Sequence, residues 1–352
     1  MASTPTHRAP HRRSLAAAGA VLLSAAAAAA LLPTAAFAAG PASLTTHAGA
    51  TTEAERGRID AYWTADRMKL AGALIPEITP LPADDDTPDD PRPLPGNTPD
   101  TGGTWTHGGA VERSVGRLFF TFSDGYDGSC TATVVASANR STVLTAAHCL
   151  RTVGDPAAAD TWRHNFYFVP GYRNGTKPLG GFSVKSMATP AQWDADPVRA
   201  RPDDLAVAGH DTAVLVANPA AGGRRIADVT GSQRIAFTRP TEGEFVHTFG
   251  YPKDRLNDPA AKYAGSRMIH CAGPARPGTK APLLWGESCD MSHGASGGPH
   301  FAQFDTRTGV GTVVGVTTTT DELAGGQAGT LYATRLGDGA RLLHAWAQTR
   351  PV

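Results

Sequence analysis

The sequence has no excess of charge of either sign. Lysine and arginine total 32, aspartate and glutamate also total 32, and the formal net charge is zero. Proteins that bind nucleic acid or an anionic membrane surface by electrostatics usually carry a basic excess. We therefore expect no nucleic-acid partner and no charged membrane surface as a binding target.

Long apolar runs are missing after the first forty residues, so no later segment is expected to span a bilayer. Before that point, a basic start ending in Arg12-Arg13 precedes an Ala- and Leu-rich run, 15–32, and Ala36-Phe37-Ala38 offers small residues to a signal peptidase. We interpret 1–38 as a signal peptide of a secreted, extracellular protein. A membrane anchor is less favoured because alanine is only weakly hydrophobic, and the twin-arginine and general secretion routes both stay open.

Cysteine is scarce, with four residues in the whole chain. An even number of cysteines in a secreted chain predicts two disulfides, and three connectivities are open at this point. The sequence has no closely spaced group of cysteines and histidines of the kind that binds zinc. No metal and no cofactor are therefore predicted.

The region 39–104 precedes the main domain and has two parts. Residues 53–74 are rich in helix-forming residues and are predicted to form one helix with a rough apolar side. Residues 76–103 are rich in proline and aspartate and are predicted to be an extended linker. A calcium site in the acidic run is less favoured because nothing would fix the ligands. From its position we interpret 39–104 as propeptide-like, either inhibitory or assisting folding.

Residues 105–352 follow an all-β pattern, and the abundance of glycine (39) and proline (27) favours a loop-rich β fold over a helical bundle. A short C-terminal helix is predicted over 339–348. Regularly spaced short strands are typical of antiparallel sandwiches and barrels. The apolar runs between turn residues are 115–122, 131–135, 142–146, 165–169, 212–217, 245–249 and 313–319.

A candidate nucleophile lies in Gly294-Ala295-Ser296-Gly297-Gly298-Pro299. A serine hydroxyl attacks a carbonyl only when a neutral imidazole accepts its proton and a carboxylate orients that imidazole. The glycines permit unusual backbone angles and close approach of a substrate. The amides of Gly294 and Ser296 are candidates for stabilising the oxyanion. A plain glycine-rich turn is the alternative.

Candidates for the base and the orienting acid lie further upstream. Thr145-Ala146-Ala147-His148-Cys149 follows an apolar run and would present His148 from a short turn at a strand end. Asp211 opens the apolar run that ends before Asn218-Pro219, which suits a buried carboxylate. Asp204 has a similar local pattern and is its rival; Asp211 is preferred because its strand is longer.

These three motifs occur in the order His, Asp, Ser and together resemble the chymotrypsin/trypsin-like serine peptidase family. With Phe249-Gly250-Tyr251-Pro252, they are most similar to its bacterial secreted branch, which includes the glutamyl endopeptidases. The resemblance covers about 112–345. It implies two antiparallel six-stranded β-barrels with the active site between them. It also implies His148, Asp211 and Ser296 as the triad, with Gly294 and Ser296 as oxyanion donors.

The resemblance also implies two disulfide pairs, Cys130 with Cys149 and Cys271 with Cys289. Each closes a loop of about 20 residues, for which the chain-entropy model gives a stabilisation of about 3 kcal/mol. In animal trypsins an aspartate before the nucleophile pairs with the new N-terminus after activation. Ala295 stands at that position here, so this route of activation is not expected, although a zymogen cleaved within 76–110 is.

Substrate specificity is left open by the sequence. An aspartate at the offset of Asp290 selects arginine or lysine in trypsin-like enzymes, whereas the bacterial branch often carries a Cys-Asp pair there without this selectivity. His293 is a candidate for binding an acidic substrate residue. By analogy with the family, Gly315, Val316 and Thr317 are expected to pair with the substrate backbone.

The sequence thus predicts a secreted serine endopeptidase that acts on protein or peptide substrates as a monomer. A catalytically inactive homologue acting as an extracellular binding module is the first alternative, but no triad member is missing. A secreted esterase of the α/β-hydrolase class is disfavoured because that class has the chain order Ser, Asp, His. A structural surface protein would leave the glycines around Ser296 unexplained.

Overall fold

The computed structural model describes residues 43–72, 96–151, 162–193, 209–253, 262–278, 284–321 and 329–352. Most elements are strands, in agreement with the predicted all-β class. They are β1 (Leu44–Ala48), β2 (Asp100–Thr104), β3 (Val115–Thr121), β4 (Asp127–Val134), β5 (Thr142–Thr145), β6 (His164–Pro170), β7 (Phe182–Pro190), β8 (Ala213–Ala217), β9 (Arg234–Ile235), β10 (Phe245–Gly250), β11 (Ile269–Pro274), β12 (Arg276–Pro277), β13 (Leu284–Cys289), β14 (Pro299–Asp305), β15 (Val310–Asp321) and β16 (Gly329–Arg335).

The first sheet closes into a barrel. Its strand order is β1-β7-β6-β3-β4-β5-β8, and β7 also pairs with β8. Six strands therefore form the closed ring, and β1 is added outside it along β7 in an antiparallel register. Closure leaves the ring strands of this barrel without a free edge.

The second sheet is longer and curls. Its path is β12-β13-β16-β15-β14-β10-β11-β2, with β9 attached in parallel to β15. The Cys271–Cys289 disulfide joins β11 to β13, and the two Cα atoms are 5.6 Å apart. The two-barrel architecture predicted from the sequence is thereby confirmed, with a closed first barrel and a curled half-barrel as the second.

Helices are few and short. They are α1 (Glu53–Tyr62), α2 (Ala65–Leu70), α3 (Gly109–Ser114), α4 (Ile226–Thr230) and α5 (Asp338–Gln348). The single helix predicted over 53–74 is two helices instead, because Thr52 and Thr64 each cap the N-terminus of one of them. The C-terminal helix is present as predicted. None of the helices among the described residues is long and apolar enough to cross a membrane.

Strand β3 is buried along its whole length, which is unusual for a barrel strand with one side toward solvent. Leu118 and Phe120 point into the first barrel. Val115 and Phe119 belong to a second cluster, which lies outside that barrel and also contains Trp63. The outer face of the barrel at β3 is therefore covered by side chains that include Trp63, from the segment that precedes β2.

Both predicted disulfides are present. Cys130 on β4 is bonded to Cys149, and Cys271 is bonded to Cys289, which leaves no free cysteine in the chain. The first bridge ties the turn after β5 to the neighbouring strand. A bridge at that point restricts the backbone on either side of His148.

Candidate active site

His148 lies on a one-turn 3₁₀ helix, Ala147–Cys149, directly after β5. The small residues Ala146 and Ala147 are fully buried, so the strand end packs closely against the barrel. The side chain of His148 is 31% exposed. The barrel thus holds the histidine backbone while the imidazole reaches the surface.

The pairing of β5 with β8 brings Asp211 to the histidine. Thr145, the last residue of β5, lies opposite Ala213, the first residue of β8, in this antiparallel ladder, so the chain after β5 lies beside the chain before β8. His148 and Asp211, which are 63 positions apart in the chain, therefore become neighbours. Asp204, the rival acid, lies outside the described residues.

The Asp211 carboxylate is only 1% exposed and both of its oxygens are bonded. Oδ1 accepts a hydrogen bond from the backbone N–H of His148 at 2.8 Å, and Oδ2 lies 2.6 Å from the His148 Nδ1 atom. The hydroxyl of Thr318 on β15 donates to Oδ2 at 2.5 Å. This arrangement fixes the tautomer with the proton on Nδ1 and leaves Nε2 as the basic nitrogen.

Ser296 lies in the loop between β13 and β14, and its side chain is half-buried. Thr131 on β4 holds this loop twice: its backbone N–H donates to the Ser296 carbonyl at 2.8 Å, and its hydroxyl donates to the Gly294 carbonyl, also at 2.8 Å. Gly297 has a φ of 78°, and a Cβ there would lie 2.1 Å from the Thr145 hydroxyl oxygen. Only glycine allows the serine loop to approach the first barrel this closely.

The amides needed to stabilise an oxyanion are free in this loop. Among the hydrogen bonds of the described residues, none uses the backbone N–H of Gly294 or of Ser296. The neighbouring amides of Ala295, Gly297 and Gly298 are all bonded within the protein. Two unpaired N–H groups flanking one residue are the arrangement that an anionic oxygen requires.

His148 is hydrogen-bonded to Asp211, but among the described residues no hydrogen bond links it to Ser296. Within the described chain, the hydrogen bonds of the imidazole go to Asp211 and to the Cys149 sulfur, which is 3.7 Å from Nε2. The His148 ring, Cys130 and Cys149 also lie together like a metal-binding group. Because both sulfurs are in a disulfide, they have no thiolate to offer, and the group does not fit a metal.

The two candidate specificity residues differ in their surroundings. Asp290 is already bonded: its carboxylate lies 2.5 Å from the Lys262 ammonium and accepts a hydrogen bond from the Tyr263 hydroxyl at 2.7 Å. His293 is exposed, and its backbone carbonyl accepts a hydrogen bond from the N–H of Lys253 at 2.6 Å. Neither geometry by itself identifies a preferred substrate residue.

The predicted substrate strand needs correction. Gly315 and Val316 are paired with β14 on one side and β16 on the other. Thr317 donates its N–H to Gly298 and accepts from the N–H of Gly297. None of the three therefore has a free backbone edge. Beyond them the ladder with β14 has ended: Thr318 lies at an irregularity of the ladder with β16, and Thr319 and Thr320 are paired with β16 alone, so the edge begins three residues later than predicted.

A second histidine–carboxylate pair, buried inside the second barrel, was not predicted. His300 and Glu287 are fully buried, with Nδ1 and Oε2 3.2 Å apart. Thr248 bonds both of them, and the other ring nitrogen of His300 bonds the Thr317 hydroxyl at 2.9 Å. Thr318 and Thr131 were missed as well, because a lone threonine within a strand carries no pattern that distinguishes it.

This fold and this order of site residues define the class of chymotrypsin-like serine peptidases, and the resemblance that the three motifs indicate is confirmed. No family model and no curated protein matches the chain. Solved structures do: the protease Anisep from Arthrobacter nicotinovorans is 28% identical, with a TM-score of 0.56 over 68% of this chain and 96% of its own. A thermostable serine protease, AL20, from an extremophilic microorganism is 28% identical, with a TM-score of 0.56 over 69% of this chain and 100% of its own. A Glu endopeptidase in complex with MPD shares the fold at 17% identity, with a TM-score of 0.50 over 71% of this chain and 98% of its own.

Proposed function

We propose that the chain is a secreted serine endopeptidase that acts as a monomer and hydrolyses protein or peptide substrates through an acyl-enzyme on Ser296. One observation carries the proposal: the buried Asp211 carboxylate bonds both the backbone and the ring of His148, within a serine-peptidase fold. A structural role for Asp211 alone would not require an imidazole that is 31% exposed, with Nε2 bonded to no oxygen or nitrogen among the described residues. An inactive homologue has no support, since every residue of the mechanism is present.

In the proposed reaction, the Ser296 hydroxyl oxygen bonds to the carbonyl carbon of the substrate while its proton passes to His148 Nε2. The carbonyl oxygen becomes an oxyanion that accepts hydrogen bonds from the amides of Gly294 and Ser296. The C–N bond then breaks, and the leaving amine takes the proton from Nε2. Water repeats the same steps on the acyl-enzyme and releases the acid.

Substrate binding is expected to close the remaining gap between His148 and Ser296. Catalytic hydrogen bonds are often long or misaligned in free enzymes and tighten when substrate binds. A substrate strand added along 318–320 would place its scissile carbonyl near the amides of the serine loop. It would also exclude water from the exposed side of the imidazole.

The experiment that tests this proposal is active-site labelling. A fluorophosphonate probe is expected to label the purified, processed protein, and Ser296→Ala is expected to abolish both labelling and peptide cleavage. Ser288→Ala is the matched control, because Ser288 is exposed on β13 and outside the site. Undiminished cleavage by Ser296→Ala would refute the mechanism.

Specificity is tested separately with a peptide library. A tryptic preference would require a substrate cation to compete with Lys262 for Asp290, whereas selection of an acidic residue would point to His293. Cleavage after arginine or lysine that is lost in Asp290→Asn would establish the first assignment. Cleavage after glutamate that is lost in His293→Gln would establish the second.

A further inference from the structure

The segment 43–72, expected from its position to be propeptide-like, is built into the first barrel. Its strand β1 pairs along β7, and the N–H groups of Gly49 and Ala50 continue the ladder onto Lys185 and Val184 at 2.9 and 2.8 Å. The Asn218 side-chain amide, itself buried, donates to the Ala50 carbonyl at 2.9 Å. The segment therefore shares backbone hydrogen bonds with the barrel.

The same segment supplies part of the hydrophobic core. Trp63, Met68 and Ala71 are 1%, 0% and 1% exposed and pack in one cluster with Phe119 and Tyr172. The Trp63 indole N–H donates to the Asn165 carbonyl at 2.7 Å. Release of the segment would expose this apolar groove, and the free energy of burying a large aromatic residue would be lost.

Arg117 on β3 depends on the segment for its hydrogen bonds. Its guanidinium is 1% exposed, lies against the Phe119 and Tyr172 rings, and donates to the carbonyls of Met68 and Ala71 at 3.3 and 3.2 Å. Among the described residues no carboxylate forms an ion pair with it. Without the segment, the guanidinium would lose its hydrogen bonds to the Met68 and Ala71 carbonyls and would keep the one to the Ser129 hydroxyl.

Lys253 connects the end of the segment to the serine loop. Its ammonium group donates to the carbonyls of Lys69, Leu70 and Ala71 at 2.9, 3.3 and 3.1 Å, and the residue is 4% exposed. Its backbone N–H donates to the His293 carbonyl at 2.6 Å, next to the oxyanion amide of Gly294. A Cβ at Gly294 would lie 3.2 Å from the Lys253 nitrogen, so the loop and this residue are in close contact.

We propose that 43–72 is retained as a permanent part of the working peptidase, and that Lys253 is the positioning residue through which the carbonyls at its end hold the oxyanion loop. Any maturation cut would then fall in the linker after residue 72 and leave two chains bound without a covalent link. The inference that 43–72 is retained depends only on how this segment packs and not on the proposed function. The role of Lys253 rests on the proposed function.

Retention is tested in the Ser296→Ala chain, which cannot digest itself, with a site for a sequence-specific protease placed between residues 84 and 90. After cleavage, size-exclusion chromatography under native conditions is expected to elute the fragment containing 43–72 together with the peptidase domain. Leu70→Ala, at a position 56% exposed, is the matched control and is expected to co-elute too. Separate elution of the fragment from a domain that keeps its circular dichroism spectrum would overturn the proposal.

The role of Lys253 is tested by kinetics. Lys253→Met is expected to lower kcat about tenfold or more with KM within threefold, because the loss is in oxyanion stabilisation. Lys253→Arg is expected to recover part of kcat, and Lys185→Met, a half-buried lysine on β7, is expected to change nothing. Wild-type kcat in Lys253→Met would overturn the assignment.

A second variant covers the case in which Lys253→Met does not fold. In a chain that keeps Ser296 and is cut at the same inserted site, Trp63→Ala is expected to weaken binding of the fragment, so that activity falls on dilution. A synthetic 43–72 peptide is expected to restore it. Full activity after loss of the fragment would contradict the proposal. If the wild-type chain fails to react with the fluorophosphonate, the proposed function fails, while the co-elution result is unaffected.

Discussion

Among the described residues, two histidine–carboxylate pairs have a nitrogen–oxygen distance of 3.2 Å or less, one at the protein surface and one inside the second barrel. His148 and Asp211 are 2.6 Å apart with side-chain exposures of 31% and 1%, whereas His300 and Glu287 are 3.2 Å apart and both fully buried. The chemical groups are alike. The difference is that both ring nitrogens of His300 are bonded inside the protein, while only Nδ1 of His148 is bonded to its carboxylate.

This contrast indicates how the surroundings of a histidine–carboxylate pair suit one pair, and not the other, to the proposed catalytic role. A general base needs one nitrogen available to a substrate, and His148 has it because its strand ends at the barrel rim. His300 lies within β14, where β10 and β15 flank it, so no substrate atom reaches it. The buried pair is expected to stabilise the barrel that carries the serine loop.

The largest expected effect distinguishes Asp211 from its rival Asp204 by the loss of activity that each substitution causes. Asp211→Asn is expected to lower kcat about 10⁴-fold by analogy with other triads, because the amide favours the wrong imidazole tautomer. Asp204→Asn is expected to have little effect. Steady-state kinetics on a peptide substrate measures both, and a larger loss in Asp204→Asn would reassign the acid.

Glu287→Gln is expected to lower the stability of the fold and to have little effect on activity. It replaces one carboxylate oxygen with an NH₂ group, so that buried Thr248 or His300 loses its hydrogen-bond acceptor, and a buried polar group left without a partner typically costs about 1–3 kcal/mol of folding free energy. Its kcat is expected to stay within about tenfold of wild type, since Glu287 touches no reacting atom. Urea unfolding monitored by fluorescence measures the stability. A loss of kcat as large as that of Asp211→Asn would mean that the two pairs are not separate in function.

The parts of the site that the sequence predicted are those that are local along the chain. His148, Ser296 and the amides around it each lie in a short motif whose neighbours serve the same purpose, and strand runs such as 115–122 and 142–146 appear within a residue or two of their predicted ends. From the sequence, only the longer apolar run after Asp211 distinguishes it from Asp204.

The parts that the sequence did not predict depend on contacts between distant strands. Thr318 reaches Asp211 across 107 residues of chain, and Thr131 reaches the Gly294 carbonyl across 163. The docking of 43–72 on β7 is another such contact, because a five-residue strand carries no sign of its partner. The placement of the substrate-pairing strand at 315–317 is wrong for the same reason. The part of β15 that has a free backbone edge depends on where its neighbour β14 begins.

Thr318 offers a smaller test of the catalytic pair. Thr318→Val removes one of the three hydrogen bonds to the Asp211 carboxylate and is expected to lower kcat about tenfold, which corresponds to about 1.4 kcal/mol. Thr312→Val, half-buried at the other end of β15, is the matched control. Equal kinetics for the two variants would show that Asp211 needs no support from β15.

A third pair is buried and consists of two histidines, His247 and His270, with no carboxylate bonded between them. His247 Nδ1 and His270 Nε2 are 3.0 Å apart, both residues are 3% exposed, and Asp100 is 3.6 Å from the far nitrogen of His270. Burial, and then the nearby His270, lower the pKa of His247 to about 3. This histidine is therefore neutral in the folded protein over most of the acidic range.

A pH-dependent effect on stability follows from that difference between folded and unfolded chains. The unfolded chain binds a proton at His247 near pH 6.5 and the folded chain does not until about pH 3, so this contribution to stability is complete above 6.5 and declines as the pH falls toward 3. The slope is at most about 1.4 kcal/mol per pH unit for one proton. Urea unfolding of Ser296→Ala with and without His247→Asn, from pH 7 to pH 4, measures it. The stability difference between the two is expected to shrink as the pH falls, whereas His164→Gln, at an exposed position, is expected to give no such trend. A difference independent of pH would show that His247 takes up its proton in the folded state as readily as in the unfolded chain.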